Sequence, residues 1–282
     1  MKNPALLIVD IGGTKSDVAL FDKSNVRTAT HQQRFINAQY AGINEILSQF
    51  KATVGELPAV ACFAVAGVIQ ENSVQMTNLP WRICVDELKE NYDFAEVILL
   101  NDLTAVASSI RYLDAKNPRE VKTILMGGVD GGKVTGVVAP GTGLGEGFVV
   151  EWSGQRFVSG CEGGHTGFAP VDEEQMALLA WAHKQFKTVS YENLIAGPGL
   201  SRLYDFCKSY HSLKESDSVA QAMSGCKDRT PAIIDGVVGA HPCALCKKVV
   251  DLFLNILGSE AGNLALKLYA KGGIYLGGGI LP

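Results

Sequence analysis

The chain carries one arrangement twice: an apolar run, a glycine-rich turn with a threonine, and a second apolar run. The first copy is Val9-Asp10-Ile11-Gly12-Gly13-Thr14, between the runs 5–9 and 18–21. The second is Pro140-Gly141-Thr142-Gly143, between the runs 134–139 and 147–151. Short apolar runs separated by a Gly turn read as strands joined by a hairpin, so two related halves are expected, each opening in β structure. A glycine tip lets backbone N–H groups approach an anion closely, and threonine adds a hydroxyl donor. Two such tips, one per half, suit the phosphates of a single nucleotide held from both sides.

The rest of the chain continues the repetition. Strands are expected at 5–10, 17–22, 26–36, 59–66 and 97–101, with helices at 41–52, 85–91 and 103–113. Ile43, Ile46, Leu47 and Phe50 recur at helical spacing in the first of these helices. Glu96-Val-Ile-Leu-Leu100 lacks polar alternation, which suits a central strand buried on both faces. The second half restarts at Val134 with strands through 151 and at 155–159. Helices at 173–187, 199–211, 217–224 and about 244–270 follow, and a strand at 273–276 runs into Gly277-Gly278-Gly279. The expected architecture is α/β: two domains with mixed sheets and an interdomain cleft. They divide as a smaller 1–110 and a larger 111–282, with the turn-rich 114–133 as the hinge neighbourhood.

Composition narrows the partners. Hydrophobic residues make up 47% of the chain and charged residues 19%, the balance of a packed globule. A net charge of −4 without a basic stripe argues against nucleic acid or an anionic membrane as partner. No apolar run reaches about 18 residues, and the N-terminus passes directly into a strand, so a cytoplasmic protein is expected. Seven scattered cysteines do not form a bridge framework and suit a reducing compartment. The one close pair, Cys243-Ala-Leu-Cys246 with His241 upstream, lacks a fourth zinc ligand and reads as a helix start.

Several polar residues stand where chemistry would sit, and each has an ordinary alternative. Asn101-Asp102 follows a strand and precedes an apolar helix, where either residue would serve as a helix cap. The same place also puts a carboxylate at the carboxyl end of a strand, where Asp102 can accept a proton from a substrate hydroxyl. Glu162-Gly-Gly-His165 is either a surface turn or a grip on a polyol. Glu192 alone looks like an early residue of a helix capped by Ser190. Asp10 is a turn former or, beside the first Gly/Thr tip, a carboxylate orienting Mg²⁺ through water. Gly277-Gly278-Gly279 either ends a strand or lets an adenine ring lie against backbone.

Taken together these segments resemble bacterial glucokinases of the hexokinase/actin/heat-shock-protein-70 superfamily. The matching pieces are Asp10-Ile-Gly-Gly-Thr14, Met76-Thr-Asn-Leu-Pro-Trp81, Leu99-Leu-Asn-Asp-Leu-Thr-Ala-Val106 and Gly141-Thr-Gly-Leu-Gly145. They continue with Gly160-Cys-Glu-Gly-Gly-His165, Phe168-Ala-Pro170, Ala196-Gly-Pro-Gly-Leu200 and Gly277-Gly-Gly-Ile280, all in the family's order. The resemblance implies two actin-like (ribonuclease H-like) domains, ATP and Mg²⁺ as cofactors, phosphorylation of glucose at its 6-hydroxyl and a homodimer. It implies Asp102 as catalytic base, and Asn101, Glu162, His165 and Glu192 as sugar ligands, with Asn78 lining the same cleft. Gly12, Gly13, Thr14, Gly141, Thr142 and Gly143 then hold phosphates, and Gly277, Gly278 and Gly279 the adenosine.

Two departures qualify the resemblance. Residues 166–176 contain no cysteine, unlike the zinc-dependent sugar kinases and repressors of the superfamily. Family members also continue beyond the Gly triplet, with a terminal helix returning to the first domain, so an absent C-terminal segment is expected. A kinase for another hexose or amino sugar, or a sugar-binding protein without turnover, remains the alternative.

Overall fold

The computed structural model describes residues 6–76, 79–127, 131–226, 228–239 and 242–281. It forms two compact units, Met1–Tyr112 and Leu113–Pro282.

In the first unit, β1 (Leu6–Ile11), β2 (Lys15–Asp22) and β3 (Asn25–Ile36) form an antiparallel meander. α1 (Ile43–Val54) follows, then β4 (Val60–Val65), β5 (Ile69–Gln70), β6 (Ser73–Gln75), β7 (Arg82–Cys84), α2 (Val85–Tyr92), β8 (Glu96–Asn101) and α3 (Asp102–Ser109). The main sheet has the order β3-β2-β1-β4-β8, with β4 parallel to both β1 and β8. β1 and β4 lie inside this sheet and are its most apolar strands. Leu7, Val9, Ile11, Ala61, Phe63 and Val65 are buried there against Ile46, Leu47 and Phe50 of α1. β3 is a long, mostly exposed edge strand, rich in polar side chains that discourage further pairing.

β8 is also an edge strand, not the central one expected from its sequence. Among the described residues only β4 pairs with it, and Ile98 is 40% exposed. An unbroken apolar run does not by itself distinguish a two-faced central strand from an edge strand. Between β4 and α2, where no element is expected from the sequence, lies the small antiparallel sheet β5-β6-β7. Its strands are two or three residues long, too short to show a period.

The second unit opens in the same way. β9 (Val134–Pro140), β10 (Leu144–Trp152) and β11 (Gln155–Cys161) form an antiparallel meander. α4 (Glu173–Ala182), α5 (Tyr191–Ile195), α6 (Gly197–Tyr210), α7 (Asp217–Met223), α8 (Thr230–Val238), α9 (Ala244–Leu268) and β12 (Ile274–Leu276) follow. The sheet order is β11-β10-β9-β12, with β12 parallel to β9. Both units therefore share one plan: a three-stranded meander extended, at its first strand, by a parallel strand. That repeated plan in mixed sheets is the actin-like kinase fold.

α4 stops at Ala182, short of the expected 187, and α8 was not foreseen from the sequence. Thr230-Pro231 supplies the α8 start, but Gly236 lies in its interior and masks the helical pattern. α9 is the spine of the unit. Leu245, Val249, Leu252, Phe253, Ile256, Leu257 and Leu264 are buried on one face, while Lys247, Asp251 and Asn255 are exposed on the other. By length and composition α9 is apolar enough to cross a membrane, yet this face is packed among α5, α6 and α8. Cys243 is its N-cap residue and Cys246 lies in its first turn. His241 lies outside the described residues. All seven cysteines are free thiols.

Candidate active site

In the first unit the Gly/Thr hairpin turns between paired Ile11 and Ser16. Gly12 N–H donates to Lys15 O at 3.0 Å, closing a tip that includes Gly13 and Thr14. The tip is held from below by a residue not singled out in the sequence, the buried Asn37. Its Nδ2 donates to Gly12 O at 2.8 Å, its backbone N–H to Thr14 O at 3.0 Å, and Ser16 Oγ donates to its Oδ1 at 2.8 Å. One amide thus fixes both sides of the hairpin. Asn37→Ala is expected to destabilise the protein by roughly 1–3 kcal/mol, because it strands a buried hydroxyl and a carbonyl. Urea unfolding checks this effect.

Asp10, at the end of β1, faces Asp17 across the β1–β2 ladder. Arg34 grips Asp17 with two hydrogen bonds, at 2.8 and 2.9 Å. The Asp10 carboxyl is raised above its ordinary range, first by burial and then by the Asp17 charge, with Lys15 and Arg34 working against both. An oxygen donor in this position is chemically suited to a hard cation.

The same edge of the sheet carries Asn101. The parallel registers place Ile11, Val65 and Asn101 side by side on β1, β4 and β8. Asn101 caps α3: its Oδ1 accepts from Leu103 N at 3.0 Å and Thr104 N at 3.2 Å. Its Nδ2 donates to Gly67 O at 3.2 Å. The capping reading of this dipeptide is therefore realised by Asn101, whose side chain is already engaged on both ends. Asp102 begins the helix, and its Oδ1 accepts from Leu103 N at 2.9 Å. Asn78 lies outside the described residues.

In the second unit Glu162, His165 and Glu192 are brought together although they are far apart in sequence. Gly163–His165 is a single 3-10 turn, pinned by Thr166 N–H and Oγ1, which donate to Gly163 O at 2.9 and 2.8 Å. Residues 166–168 then pair with 189–191: Phe168 N–H donates to Val189 O at 2.8 Å, and Tyr191 N–H to Thr166 O at 3.1 Å. Directly after this splice, Ser190 caps α5 through a reciprocal capping box with Asn193. That fixes Glu192 in the first turn of α5, facing the Gly163–His165 turn. His165 Nδ1 stands 3.7 Å from Glu192 Oε1, and Nε2 stands 3.7 Å from Glu162 Oε2. These separations exceed a hydrogen bond, so donor and acceptor capacity is left for a ligand. His165 and Glu162 are 60% and 70% exposed, Glu192 only 29%.

Glu192 also joins this group to the second Gly/Thr tip. Its Oε2 accepts Leu144 N–H at 2.9 Å. A Cβ at Gly143 would stand 2.6 Å from the same oxygen, so glycine is what lets the carboxylate approach. Gly141 N–H donates to Gly143 O, and Gly197 N–H at the start of α6 donates to Gly141 O, both at 2.8 Å. The Gly triplet reaches the same tip from β12: Gly277 N–H donates to Val138 O at 3.0 Å. Gly278, at φ 90°, leaves no room for a Cβ against the Pro140 carbonyl. Gly141–Gly143, Gly277–Gly279 and Glu192 thus converge at one end of the β9–β12 pair.

Among the described residues one cluster of side chains is suited to metal binding, Glu174, Cys207 and His211, elsewhere in the unit. Glu174 is already engaged there by Lys248 at 2.8 Å and His211 at 2.5 Å, and it behaves as an ion-paired group.

Two actin-like units, each with a glycine hairpin able to cradle phosphate, and a polyol-type cluster beside one of them, define a sugar kinase. The glucokinase family model matches residues 7–282. Glucokinase of Colwellia psychrerythraea is 33% identical over 278 residues, covering 98% of this chain and 81% of that protein. The solved glucokinase of an Antarctic psychrotroph superposes with a TM-score of 0.78 at 31% identity, covering 100% of this chain and 84% of the other. A glucokinase of the ROK family from Streptomyces griseus, solved with glucose and AMPPNP, gives a TM-score of 0.67 at 16% identity, covering 98% and 83%. The chain belongs to the glucokinase family.

Proposed function

We propose that this chain carries the family's reaction, ATP-dependent phosphorylation of glucose to glucose 6-phosphate, with its residues in the following roles. Glu162, His165 and Glu192 hold sugar hydroxyls, Asn101 adds an amide and Asn78 lines the same site. Asp102 accepts the proton of the 6-hydroxyl as that oxygen attacks the γ-phosphorus of ATP. Carboxylates as a class are weak bases. A weak base suffices when proton transfer is late, because a loose phosphoryl-transfer transition state is stabilised chiefly by positioning and charge neutralisation. Gly12, Gly13 and Thr14, with Gly141, Thr142 and Gly143, hold phosphates through backbone N–H groups and hydroxyls. Gly277, Gly278 and Gly279 provide a flat backbone surface for adenosine. Asp10 orients Mg²⁺ through water; the ion, when bound, neutralises phosphate charge. The reading places the enzyme in the cytoplasm, in keeping with its free thiols.

The observation that carries this reading is the junction of His165, Glu162 and Glu192 at 3.7 Å spacings beside the second phosphate-type tip. Glu192→Ala and His165→Ala are each expected to weaken glucose binding while leaving ATP binding nearly intact. Each deletes the partner of a sugar hydroxyl, a loss of roughly 1–3 kcal/mol, and more where the partner is charged. Calorimetric titration with each ligand tests this. Loss of ATP affinity with glucose affinity retained would reverse the assignment of sugar and nucleotide sides. Turnover assays over a panel of hexoses and amino sugars test the choice of glucose.

A further inference from the structure

Beneath the Gly163–His165 turn lies a pair of buried acids that the reaction itself does not use. Glu146 of β10 and Glu260 of α9 are both fully enclosed, and Oε1 of each has no hydrogen-bond partner among the described residues. The sheet register explains how Glu146 comes to face α9. It is paired with Val138 on β9 and Cys161 on β11, on the face where Gly136 meets Leu264 of α9. Its Oε2 lies directly under the sugar turn, in the space that a Cβ at Gly163 would occupy. Glu260 is tied to the other side of the site. Asn263 Nδ2 donates to Glu260 Oε2 at 2.9 Å and to Tyr191 Oη at 3.0 Å, and Tyr191 immediately precedes Glu192. The two acids therefore touch both elements that carry the sugar ligands.

The charges facing Glu146 are few. α9 contributes Glu260 and Lys267, whose Nζ is 3.5 Å from Glu260 Oε1. β11 contributes Cys161 and α5 contributes Tyr191, and burial raises both of these groups, keeping them neutral. The turn above carries Glu162 and His165. One cation against two enclosed carboxyls leaves a net negative charge unless one acid keeps its proton.

We propose that Glu146 and Glu260 are positioning residues for the sugar site: the pair shares one proton, and that proton holds the Gly163–His165 turn at the height needed for hexose binding. Losing it sets two carboxylates against each other under Gly163, which has no side chain to yield, and lifts Glu162 and His165 away from Glu192. Burial first, and then the Glu260 charge, push the Glu146 carboxyl up to about 7, so the change falls in the physiological range. A carboxyl raised in this way binds its proton more tightly in the ordered site than in a loosened one. The ordering is complete at low pH and is lost as pH rises through 7.

The inference rests on the sugar-site reading above, and the test separates the two. Glucose is titrated calorimetrically from about pH 6 to about pH 8.5 into the intact protein, Glu146→Gln, Glu260→Gln and Glu192→Ala. The parent Kd is expected to rise about fivefold or more across this range. Glu146→Gln, a permanently neutral near-isostere, should vary less than about twofold and bind tightly at the alkaline end, with kcat at saturating glucose unchanged. Histidine as a residue type also titrates in this range, so the Gln variants decide the matter: they remove a carboxyl and leave His165 in place. Infrared spectroscopy adds a direct readout, a protonated carboxyl band that fades through neutral pH and is absent in Glu146→Gln. A parental pH slope in both Gln variants, or no such band, overturns the proposal while the sugar reading stands, provided that Glu192→Ala has lost glucose affinity at every pH. If Glu192→Ala binds glucose like the parent, the sugar reading fails and the positioning role fails with it. Should Glu146→Gln not fold, Glu260→Gln carries the same comparison from the opposite acid.

Discussion

Asp102→Asn is expected to bind glucose as the parent does and to lose turnover by about 10²–10⁴-fold, the usual contribution of a positioned proton acceptor. The change is close to isosteric. The helix should survive it because the cap of α3 is supplied by Asn101, which accepts from both Leu103 N and Thr104 N. A calorimetric glucose titration beside a coupled assay for ADP separates binding from chemistry. Turnover within about tenfold of the parent would exclude Asp102 as the base. The neighbouring Asn101→Ala should behave differently. It removes the cap and the bond to Gly67, so it should lower the melting temperature as well as the activity.

The second large effect is expected inside the Gly triplet, and it distinguishes three glycines that look alike in sequence. Gly278 has φ 90°, and an added Cβ would overlap the Pro140 carbonyl, which is backbone and cannot swing aside. A side chain there meets two separate penalties. A left-handed conformation costs about 1–2 kcal/mol, and overpacking against fixed atoms about 1–3 kcal/mol more. Against a total stability of about 5–15 kcal/mol, Gly278→Ala should lower the melting temperature plainly. It should also weaken ATP binding more than glucose binding, by pushing β12 off the Gly141–Gly143 tip. Gly277→Ala and Gly279→Ala meet nothing within 4 Å and should melt close to the parent. Equal melting temperatures for all three variants would refute the strain assigned to Gly278.

How much of this can be read from the residues alone depends on the range of the interaction. The two Gly/Thr hairpins, the helix at Ile43 and the long helix that became α9 follow from local period and turn chemistry, and those signals survive folding. The place of β8 at an edge is decided by which strands pair, and no local pattern in Glu96-Val-Ile-Leu-Leu100 encodes it. Glu192 shows the same limit within the site. Alone it is an early residue of a capped helix, and only the splice of 166–168 onto 189–191 brings it to His165. Asn37 gives no signal as a single residue, and the role of Glu146 depends equally on what lies against it. A glutamate inside the apolar Leu144–Val150 stretch was nonetheless a visible anomaly. A charged residue at a buried strand position calls for a partner, and that partner lay far along the chain in α9.

The parallel pairing of β12 with β9 bears on the order in which the molecule can form. It joins Gly136 to Ile274 and Val138 to Leu276, so every helix from α4 to α9 is inserted between the two partners. Closing so long a loop is entropically expensive and slow, and its contacts come only after the loop is closed. In the first unit the equivalent pairing joins Leu7 to Ala61, across a far shorter insertion. A chain emerging from the ribosome can therefore complete its first sheet early. The β9–β11 meander must wait, with the outer edge of β9 unpaired, until Ile274 arrives. The arrival of β12 also brings Gly278 against the Pro140 carbonyl, so the Gly141–Gly143 tip gains this support only at the same late moment.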